Sequence, residues 1–438
     1  MSDTDVRAVP TPRTAPGPVT HADVVVVGAG PAGASTARFL ADAGHDVVVI
    51  DKATFPRDKV CGDALTPRAV RALQRLGLHK EAEGDVEGWH RQRGLRMYGG
   101  KTVLDLPWPE LPDWPAHSVT ATREIFDHTL VRHAVAGGAT LWEGTEVTGP
   151  VWLTSSQERV AGVTWRQRRT DGATAEGTVR APIVVVADGS SSRLGIALGL
   201  HRDRSRPMGV AIRAYYDHAR RDLDMMEGFL EITSQGRLLP AYGWIFPLDD
   251  GTVNVGWGQL DSSHHFKGMS YRGVLEEWVA SMPAHWGISP ETSLDRTRSA
   301  SLPMSHNRRP MCRGGALLVG DAAGMVNPFN GEGISYAIEA GEMAAEAADL
   351  ALARRDDGPL AAYPSAVADQ WGGYYRLGIA FTAVMGNPTI MKACRDYGMP
   401  QPALMRFVFR FMAHLVDRRS ADGIDRIING LSRAVPAA

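Results

Sequence analysis

Residues 23–33 read Asp-Val-Val-Val-Val-Gly-Ala-Gly-Pro-Ala-Gly, and this stretch decides the fold. Its β-branched run, Val24–Val27, is typical of a strand buried in a parallel sheet. The glycines have separate uses: Gly28 permits a tight turn, Gly30 lets backbone N–H groups approach a pyrophosphate, and Gly33 lets a helix pack closely on the strand. The stretch therefore predicts a strand, a turn and a helix whose N-terminus faces phosphate groups.

The segments that follow agree with this interpretation. A helical pattern continues to Ala43, and a second strand, residues 46–50, ends at Asp51. Asp51 follows Gly30 by 21 residues, the spacing of an acid that binds a ribose. An acid at this position favours a ribose 2′-hydroxyl over a 2′-phosphate, so FAD and NAD both fit and NADP does not.

Composition limits the class of protein. The chain has 438 residues, a formal net charge of −2 and a hydrophobic fraction of 44%, which indicates a globular protein of two to three domains. The small net charge argues against a nucleic-acid partner. The three cysteines form no CxxC pair, so neither a disulfide framework nor a cysteine metal site is expected. Residues 1–20 lack the apolar middle of a signal peptide and predict a disordered tail and a cytoplasmic location.

Two later segments favour FAD over NAD. Residues 181–189 form a strand that ends in Asp188-Gly189, and residues 315–333 form a strand that ends in Gly320-Asp321, followed by a glycine-rich loop. Asp321 is expected to accept hydrogen bonds from ribityl hydroxyls. The long helix that begins near Ile334 would direct its positive end at the N1–C2=O edge of a flavin.

These three glycine-rich motifs resemble the fingerprints of flavoproteins with the p-hydroxybenzoate hydroxylase fold. The resemblance implies an α/β protein with a Rossmann-like FAD-binding domain, an antiparallel-sheet substrate domain and a helical C-terminal segment. The segment 122–127, Thr-Arg-Glu-Ile-Phe-Asp, also resembles that group, in which the arginine lies beside FAD. The alternative for Arg123 is a helix cap or a pair with a surface acid.

Three further segments narrow the resemblance to the geranylgeranyl reductase family. They are the Cys-Gly segment 55–67, the aromatic segment 242–247 (Tyr-Gly-Trp-Ile-Phe-Pro) and the loop 328–334 (Pro-Phe-Asn-Gly-Glu-Gly-Ile). Residues 22–350 are most similar to actinobacterial members that saturate one isoprene unit of menaquinone. One departure is Ala64, where relatives often carry glycine. If that position needed a positive φ, the loop would have to differ here.

The family implies FAD-dependent reduction of isolated prenyl double bonds. No second GxGxxG follows a strand, so electrons are expected from NAD(P)H or another external donor, and no metal is expected. Cys61 is then a proton donor, a residue that orders the flavin loop, or an inert buried thiol. Motifs and resemblance together assign FAD contacts to Gly28, Gly30, Pro31, Ala32, Gly33, Asp51, Lys52, Arg57, Cys61, Gly62, Asp63, Arg123, Val147, Asp188, Gly189, Gly320, Asp321, Pro328, Gly331, Gly333 and Ile334.

An isolated alkene needs a dry pocket in which ring faces stabilise transient positive charge. Tyr242, Trp244 and Phe246 alternate along a strand, so they share one face, and together with Trp257 they are candidates to line such a pocket. The alternative for each ring is ordinary core packing.

The pattern also predicts how the chain is divided. The expected segments are a tail at 1–20, an FAD-binding domain at 21–90, 118–205 and 303–360, a substrate domain at 91–117 and 206–302, and a helical region at 361–438. Strands are expected at 208–216, 227–233, 242–248 and 252–259, with a hairpin turn at 249–251.

Residues 403–416 (Ala-Leu-Met-Arg-Phe-Val-Phe-Arg-Phe-Met-Ala-His-Leu-Val) predict an amphipathic helix with Arg406, Arg410 and His414 on one face. The helix is too short to span a bilayer. It either lies in the interface of the cytoplasmic membrane, with Arg418 and Arg419 at its end, or docks on the protein and closes a substrate tunnel.

Two other functions remain open from the residues alone. A flavin monooxygenase or halogenase acting on an aromatic or hydrophobic small molecule would keep the fold, and the aromatic segment shares its spacing with a halogenase motif. A flavin- or lipid-binding carrier without activity is the third hypothesis.

Overall fold

The structure is a computed structural model that describes residues 19–169, 171–220, 223–260, 269–416 and 422–434. The predicted tail lies outside the described residues except at its end. There Val19 and Thr20 belong to a strand, Val19–His21, which pairs with residues 178–180, so the tail is shorter than predicted.

The helices and strands of these residues are as follows. The helices are α1 (Pro31–Asp42), α2 (Pro67–Leu76), α3 (His79–Glu83), α4 (Arg123–Ala136), α5 (Arg193–Ala197), α6 (Tyr271–Ala280), α7 (Ile334–Arg354), α8 (Gly358–Val367), α9 (Gly373–Met385), α10 (Pro388–Ala393), α11 (Pro402–Met412) and α12 (Gly423–Ala434). The strands are β1 (Val19–His21), β2 (Val24–Val27), β3 (Val47–Ile50), β4 (Ala64–Leu65), β5 (His90–Gln92), β6 (Gly94–Gly99), β7 (Thr102–Pro107), β8 (Ser118–Thr120), β9 (Thr140–Trp142), β10 (Thr145–Trp152), β11 (Val160–Arg168), β12 (Thr174–Arg180), β13 (Ile183–Val186), β14 (Met208–Tyr216), β15 (Met226–Phe229), β16 (Thr233–Ser234), β17 (Arg237–Leu238), β18 (Ala241–Pro247), β19 (Val253–Leu260), β20 (Arg298–Pro303), β21 (Cys312–Arg313) and β22 (Ala316–Leu318).

A six-stranded sheet carries the predicted nucleotide fold. Its order is β21-β22-β13-β2-β3-β9, and all neighbours are parallel except the β21-β22 hairpin. β2, β3 and β13 consist of valine and isoleucine and are buried throughout, as expected for a sheet covered on both faces. The predicted α/β core is therefore confirmed.

The turn between β2 and α1 explains two of its glycines. Gly28 has φ +98°, and a Cβ there would lie 2.3 Å from the carbonyl oxygen of Ala187. A Cβ on Gly33 would lie 1.8 Å from the carbonyl oxygen of Gly28. Both contacts are with backbone, which cannot move aside, so no other residue fits at either position.

A seven-stranded sheet, β20-β14-β19-β18-β15-β6-β7, forms a second layer. Its neighbours are antiparallel except for β15 and β6. The hairpin turn predicted at 249–251 joins β18 and β19, whereas the strand predicted at 227–233 ends at Phe229. The early segment 94–107 joins 208–303 in this sheet, while the domain boundaries themselves remain a prediction.

Three smaller sheets complete the described part of the fold, and one of them is the two-stranded pair β16-β17. Strands β1-β12-β11-β10 form a four-stranded sheet, and β4-β8-β5 form a three-stranded sheet. β4 begins at Ala64, within the Cys-Gly segment and directly after Asp63, and pairs with β8. Ala64 is thus strand backbone, and the residue with a positive φ is Asp63, at +64°. The absence of glycine at position 64 therefore requires no change in the loop.

The predicted helix at 403–416 is shorter than expected and does not present its arginines on one exposed face. α11 ends at Met412, and His414 has φ +52°. Arg410 is buried and contacts Asp422 at 2.6 Å and Asp425 at 2.5 Å. The prediction of a shared face therefore fails at His414, which lies beyond the end of α11, while Arg406 and Arg410 remain four residues apart within the helix.

The inner side of α11 docks on the protein. Phe409 is buried and stacks on Trp108 with a centroid distance of 4.4 Å. Leu404, at the start of the helix, is 46% exposed. The docking interpretation therefore holds for the inner side, while Arg418 and Arg419 lie outside the described residues.

Candidate active site

Asp51, the acid predicted from its spacing to Gly30, hydrogen-bonds the first glycine-rich loop. The Ala29 N–H donates to Oδ2 of Asp51 at 2.7 Å, and the Ala53 N–H donates to its Oδ1 at 2.8 Å. Gly30 differs from Gly28 and Gly33, because a Cβ on Gly30 would find only the Arg57 guanidinium, 3.9 Å away. This open space beside a guanidinium and a helix N-terminus fits a pyrophosphate.

The three predicted FAD motifs converge. Gly320 has φ +63°, and its Cβ position lies 2.8 Å from Cβ of Ala32, so the third motif packs on α1. The Cβ position of Gly189 lies 3.2 Å from Nζ of Lys59, which joins the second motif to the Cys-Gly segment. Burial lowers the pKa of Lys59, and the charge of Asp321 opposes this change. The Lys59 amino group therefore lies where the loops meet.

A buried ion cluster lies beside this meeting point. Arg123 donates two hydrogen bonds of 2.7 Å to Asp127, and Arg57 contacts the same carboxylate at 2.6 Å. Asp127 is fully buried, and the cap of α4 is Thr122. The alternative that Arg123 caps a helix or pairs with a surface acid is therefore wrong. Two guanidinium groups share one carboxylate, which leaves positive charge beside the cofactor loops.

Cys61 lies between the charge of Arg123 and the Asp63 side chain. Burial raises the pKa of the Cys61 thiol, and the charge of Arg123 opposes this rise. The Asp63 carboxylate adds to the rise, while the Asp63 N–H, which bonds the sulfur, reduces it. Because burial is the largest influence, the thiol keeps its proton at neutral pH.

Asp63 is 1% exposed and is fixed by two strands of the seven-stranded sheet. The Tyr215 hydroxyl donates to Oδ2 of Asp63 at 2.7 Å, and the Asn254 amide donates to the same oxygen at 2.8 Å. The Asn254 amide also donates to the Cys61 carbonyl at 2.8 Å, and its oxygen accepts from Trp244 Nε1 at 2.9 Å. One amide thus connects the loop 61–63 with the aromatic strand.

The aromatic strand lies over this loop. The ring centroids of Tyr242 and Trp244 are 5.7 Å apart, and those of Trp244 and Phe246 are 6.1 Å apart. A Cβ on Gly62 would lie 3.2 Å from Cε2 of Phe246. The prediction that these rings share one face is confirmed, and the face contacts the Cys-Gly segment.

Trp257 does not belong to this face. It pairs with Gly243 across the hairpin, one position away from Trp244 in register. Its ring is buried on the other side of the sheet and stacks on Tyr271 with a centroid distance of 5.3 Å. The prediction that Trp257 joins the other three rings is wrong, because a shift of one residue reverses the direction of a strand side chain.

The loop 327–334 contacts the aromatic strand on one side and the C-terminal helices on the other. The Tyr242 hydroxyl donates to the Asn330 carbonyl at 3.0 Å, and a Cβ on Gly331 would lie 2.9 Å from that hydroxyl. Asn327 is fully buried and contacts the Met412 carbonyl and the Tyr374 hydroxyl, each at 3.3 Å. The third motif therefore lies between the aromatic strand and the C-terminal helices.

Several other predicted cofactor residues face solvent or contact other parts of the chain. Lys52 is exposed, Val147 lies in β10, and Pro328 packs against Gly378 of α9. Asp188 accepts the Leu194 N–H at 2.9 Å, and burial raises its pKa. Their contacts with FAD, like those of the other assigned residues, stay predictions.

Sequence reasoning missed Tyr215 and Asn254. Asn254 is a polar residue in a buried strand and pairs with Phe246, which places it on the same face as the aromatic rings. A polar side chain on an apolar strand face was the available signal. For Tyr215 no local signal existed, since its contact with Asp63 spans 152 residues.

Metal-ligand clusters and membrane-spanning helices are both absent from the described residues. No group of three or more His, Cys, Asp or Glu side chains is arranged to hold a metal ion in that part of the chain. None of the helices described above is both long enough and apolar enough to cross a membrane.

Comparison with known proteins agrees with this geometry. The FAD-binding domain family matches residues 21–365. The converging glycine loops, the acid at the end of β3 and this match define an FAD-dependent oxidoreductase with the p-hydroxybenzoate hydroxylase type of fold.

Curated relatives narrow the class. The chain is 37% identical to the menaquinone reductase of Mycobacterium tuberculosis over 419 residues, 94% of this chain and 97% of that one. It is 30% identical to digeranylgeranylglycerophospholipid reductase 1 of Methanopyrus kandleri over 81% of this chain and 87% of that one. The chain belongs to the geranylgeranyl reductase family, together with the menaquinone reductases.

Solved structures agree on the fold. A geranylgeranyl bacteriochlorophyll reductase-like protein of Thermoplasma acidophilum superposes with a TM-score of 0.76 at 21% identity, covering 94% of this chain and all of that one. The flavin-dependent brominase Bmp2 superposes with a TM-score of 0.70 at 21% identity, covering 94% and 99%. At this identity, both show the fold alone.

Proposed function

We propose that the chain uses FAD to saturate isolated double bonds of a polyprenyl chain, with the side chain of menaquinone as the first candidate substrate. The observation that carries this proposal is the contact between the Cys-Gly segment and the aromatic strand. Gly62 lies against Phe246, and Asn254 joins Cys61 to Trp244. The relative at 37% identity, the menaquinone reductase of Mycobacterium tuberculosis, supports the same substrate class.

The residues present suit FAD. Gly30 leaves room for the pyrophosphate beside Arg57, and Asp51 is placed to exchange its contact with the Ala29 N–H for a ribose hydroxyl. Lys59 and Asp321 would hold the middle of the cofactor. α7 begins at Ile334 and would present its N-terminal N–H groups to the flavin edge. Bound FAD in its reduced form supplies the hydride.

The chain's own residues supply the proton and exclude water. The Cys61 thiol keeps its proton because burial raises its pKa, so it can protonate the second carbon of the double bond. Tyr242, Trp244 and Phe246 would surround the isoprene unit. Their ring faces stabilise positive charge that develops on the more substituted carbon, and they keep out water that would intercept it.

Electrons come from NAD(P)H or from another external donor in this proposal. Anaerobic mixing of the FAD-loaded protein with NADH, NADPH or dithionite, followed by flavin absorbance, separates the two sources. Bleaching with dithionite alone would favour a separate protein donor.

The deciding experiment is anaerobic turnover. FAD-loaded protein is reduced with dithionite and incubated with menaquinone or a geranylgeranyl lipid, and the lipid is analysed by mass spectrometry. The expected product gains the mass of two hydrogen atoms, and reduced FAD without protein is the control. No gain with any polyprenyl quinone, diphosphate or lipid would contradict the proposal.

The alternatives give different results in the same assay. A monooxygenase or halogenase would consume oxygen rapidly and release an oxygenated or halogenated product. A carrier would purify colourless and fail to take up FAD.

We also propose a peripheral membrane contact at the C-terminal helices, since the substrate dissolves in the bilayer. Val384, Tyr397 and Leu404 are 49%, 78% and 46% exposed, and the cations Lys392 and Arg406 lie on the same stretch of chain. Apolar side chains with nearby cations suit an anionic lipid surface. Flotation of the protein with anionic vesicles, and its loss in a Tyr397→Ser/Leu404→Ser variant, is the expected result. Equal flotation of both proteins would contradict it.

A further inference from the structure

Tyr242 differs from the other rings of the aromatic strand, because its polar atom contacts the third FAD motif. Its hydroxyl donates to the Asn330 carbonyl at 3.0 Å. The polar atom of its neighbour Trp244 instead donates to Asn254 within the sheet. Tyr242 is therefore the ring of this face that belongs to the proposed isoprene pocket and also hydrogen-bonds the loop 327–334.

The Tyr242 hydroxyl meets this loop at a glycine. Gly331 has φ +77°, and a Cβ there would lie 2.9 Å from the hydroxyl oxygen. The Gly331 N–H donates to the Asn327 carbonyl at 3.0 Å. The Glu332 N–H donates to the Asn330 side chain at 2.9 Å. The loop is thus folded on itself, and the Tyr242 hydroxyl joins it to the seven-stranded sheet.

Two glycines of β19 lie beside the rings and leave them different amounts of room. A Cβ on Gly256 would lie 2.3 Å from Cζ2 of Trp244, so that ring lies directly on the strand. Gly258 pairs with Tyr242, and its Cβ position is 3.7 Å from Cε1 of that ring, an ordinary contact distance. Trp244 is 4% exposed, whereas Tyr242 is half-buried. The Tyr242 ring therefore has room that the Trp244 ring lacks.

We propose that Tyr242 couples the substrate pocket to FAD. A prenyl chain that fills the room beside its ring would keep the hydroxyl on Asn330, hold the loop 327–334 in place and favour reduced FAD. This inference rests on the proposed function. The N–H groups at the N-terminus of α7 stabilise negative charge only within about one turn, so the effect depends on where the loop holds them. Tyr242 acts through the loop in this role and is a positioning residue.

The coupling acts in both directions. A chain that favours reduced FAD must bind the reduced protein more tightly than the oxidised protein, by the same factor. Burial raises the pKa of Tyr242 to about 12, so the hydroxyl keeps its proton and remains a donor at neutral pH. The protein would therefore bind its substrate best when FAD carries the electrons that the substrate takes up.

The test measures the midpoint potential of FAD bound to the full chain, by anaerobic titration against a reference dye, with and without phytanol. Phytanol is a saturated prenyl alcohol and takes up no electrons. In the wild type it should raise the ratio of reduced to oxidised FAD about tenfold, a shift of about 30 mV for a two-electron couple. Tyr242→Phe keeps the ring and should lose the shift. A wild-type shift in Tyr242→Phe, or no shift in the wild type, would overturn the inference.

Tyr98→Phe is the matched control, because it removes a hydroxyl from the other face of the same sheet. Tyr98 pairs with Phe229, and Phe229 pairs with Gly243, so both rings lie on the face opposite Tyr242. The Tyr98 hydroxyl donates to buried Glu227 at 2.8 Å. This variant should keep the wild-type shift. Loss of the shift in both variants would assign it to the sheet as a whole and would reject the role of Tyr242.

A double-mutant cycle tests the contact without a prenyl chain. Gly331→Ala would place a methyl group 2.9 Å from the Tyr242 oxygen, and flavin fluorescence measures the resulting loss of FAD affinity. The loss should be about threefold larger in the wild type than in Tyr242→Phe, which lacks that oxygen. The strain of the positive φ is the same in both backgrounds and cancels. Equal losses would contradict the contact between hydroxyl and loop.

Failure of this inference can be told apart from failure of the proposed function. If the wild type forms no saturated product, the proposed function fails, while the cycle still reports on the hold of Tyr242 on the loop. If product forms but Tyr242→Phe keeps the wild-type potential and shift, the coupling alone is rejected.

Discussion

The loop at residues 28–33 and the loop at residues 61–63 both carry residues that are predicted to contact FAD, but they are held in different ways. In the first loop, contacts with backbone restrict which residues fit. A Cβ on Gly28 would lie 2.3 Å from a carbonyl oxygen, and a Cβ on Gly33 would lie 1.8 Å from one. In the second, side chains from distant strands fix the loop, since Asn254 contacts Cys61 over 193 residues of sequence.

This difference decides what can be read from a sequence. Where a Cβ would collide with backbone, the position itself must be glycine, and the glycine is visible as a sequence motif. Where a distant side chain holds a loop, the required residue is the one that contacts the loop, and it can lie anywhere in the chain. The four predictions below test whether the two loops respond as this comparison requires.

The largest effect is expected at Gly33. Gly33→Ala would place a Cβ 1.8 Å from the Gly28 carbonyl oxygen and should lower the free energy of unfolding by more than about 4 kcal/mol. Gly30→Ala is the matched control in the same loop, because its Cβ meets only Arg57 at 3.9 Å. The control should keep the stability of the FAD-free protein and weaken FAD binding, as followed by denaturant unfolding and flavin titration. Similar unfolding curves for both variants would break the comparison.

The second effect concerns the side-chain loop. Asn254→Leu would leave the Trp244 N–H and the Cys61 carbonyl without their partner and remove one donor from the buried Asp63. The expected loss of stability is about 3–4 kcal/mol. Trp244→Phe removes only one of these hydrogen bonds and should lose less of the hydrogen-bond contribution. Thermal unfolding of the two variants measures the ranking, and an equal or larger loss in Trp244→Phe would argue against Asn254 as the connecting residue.

The third effect is a pH dependence of stability. The pKa of Asp63 in the folded chain is about 6, above its ordinary value of 3.8, so the folded state holds this proton more tightly. Its contribution to stability is therefore complete below pH 3.8 and is lost as the pH rises to about 6. Asp63→Asn should be more stable than wild type at neutral pH, by up to about 3 kcal/mol, and the gain should vanish in acid. Urea unfolding at several pH values tests this sign, which would be wrong if the variant gained stability only in acid.

The smallest effect is expected at Ala64. Because Ala64 lies in β4 and the positive φ belongs to Asp63, restoring the glycine common in relatives offers no relief of strain. Ala64→Gly should lower stability by about 0.5–1 kcal/mol through the entropy of the unfolded chain. A stabilised Ala64→Gly variant, measured by denaturant unfolding, would show that this position prefers glycine after all.

The sequence was sufficient for the nucleotide fold and for one face of the substrate sheet. The run Val24–Val27, the acid Asp51 and the alternation from Tyr242 to Phe246 each depend on local periodicity or spacing, and the structure agrees with all three. The prediction for Trp257 was wrong because the direction of its side chain depends on the register across the hairpin, which pairs Trp257 with Gly243.

The failures at the C-terminus and at Asp63 have another cause. The pattern at 403–416 predicted one helix that includes His414, but the helix ends at Met412, and Arg410 is buried in an ion pair with Asp425. The Tyr215 contact with Asp63 joins segments that no local pattern connects. Both depend on partners that only the folded chain brings together.

The contact of Asn327 with the Met412 carbonyl has a consequence for how this protein loses its structure. This hydrogen bond connects the third motif to the end of α11. The Tyr374 hydroxyl of α9 also donates to the end of α11, at the Phe411 carbonyl, over 2.9 Å. We therefore expect the C-terminal helices to unfold together with the loop 327–334 and not as an independent module. Heating should release FAD and unfold these helices in one cooperative transition.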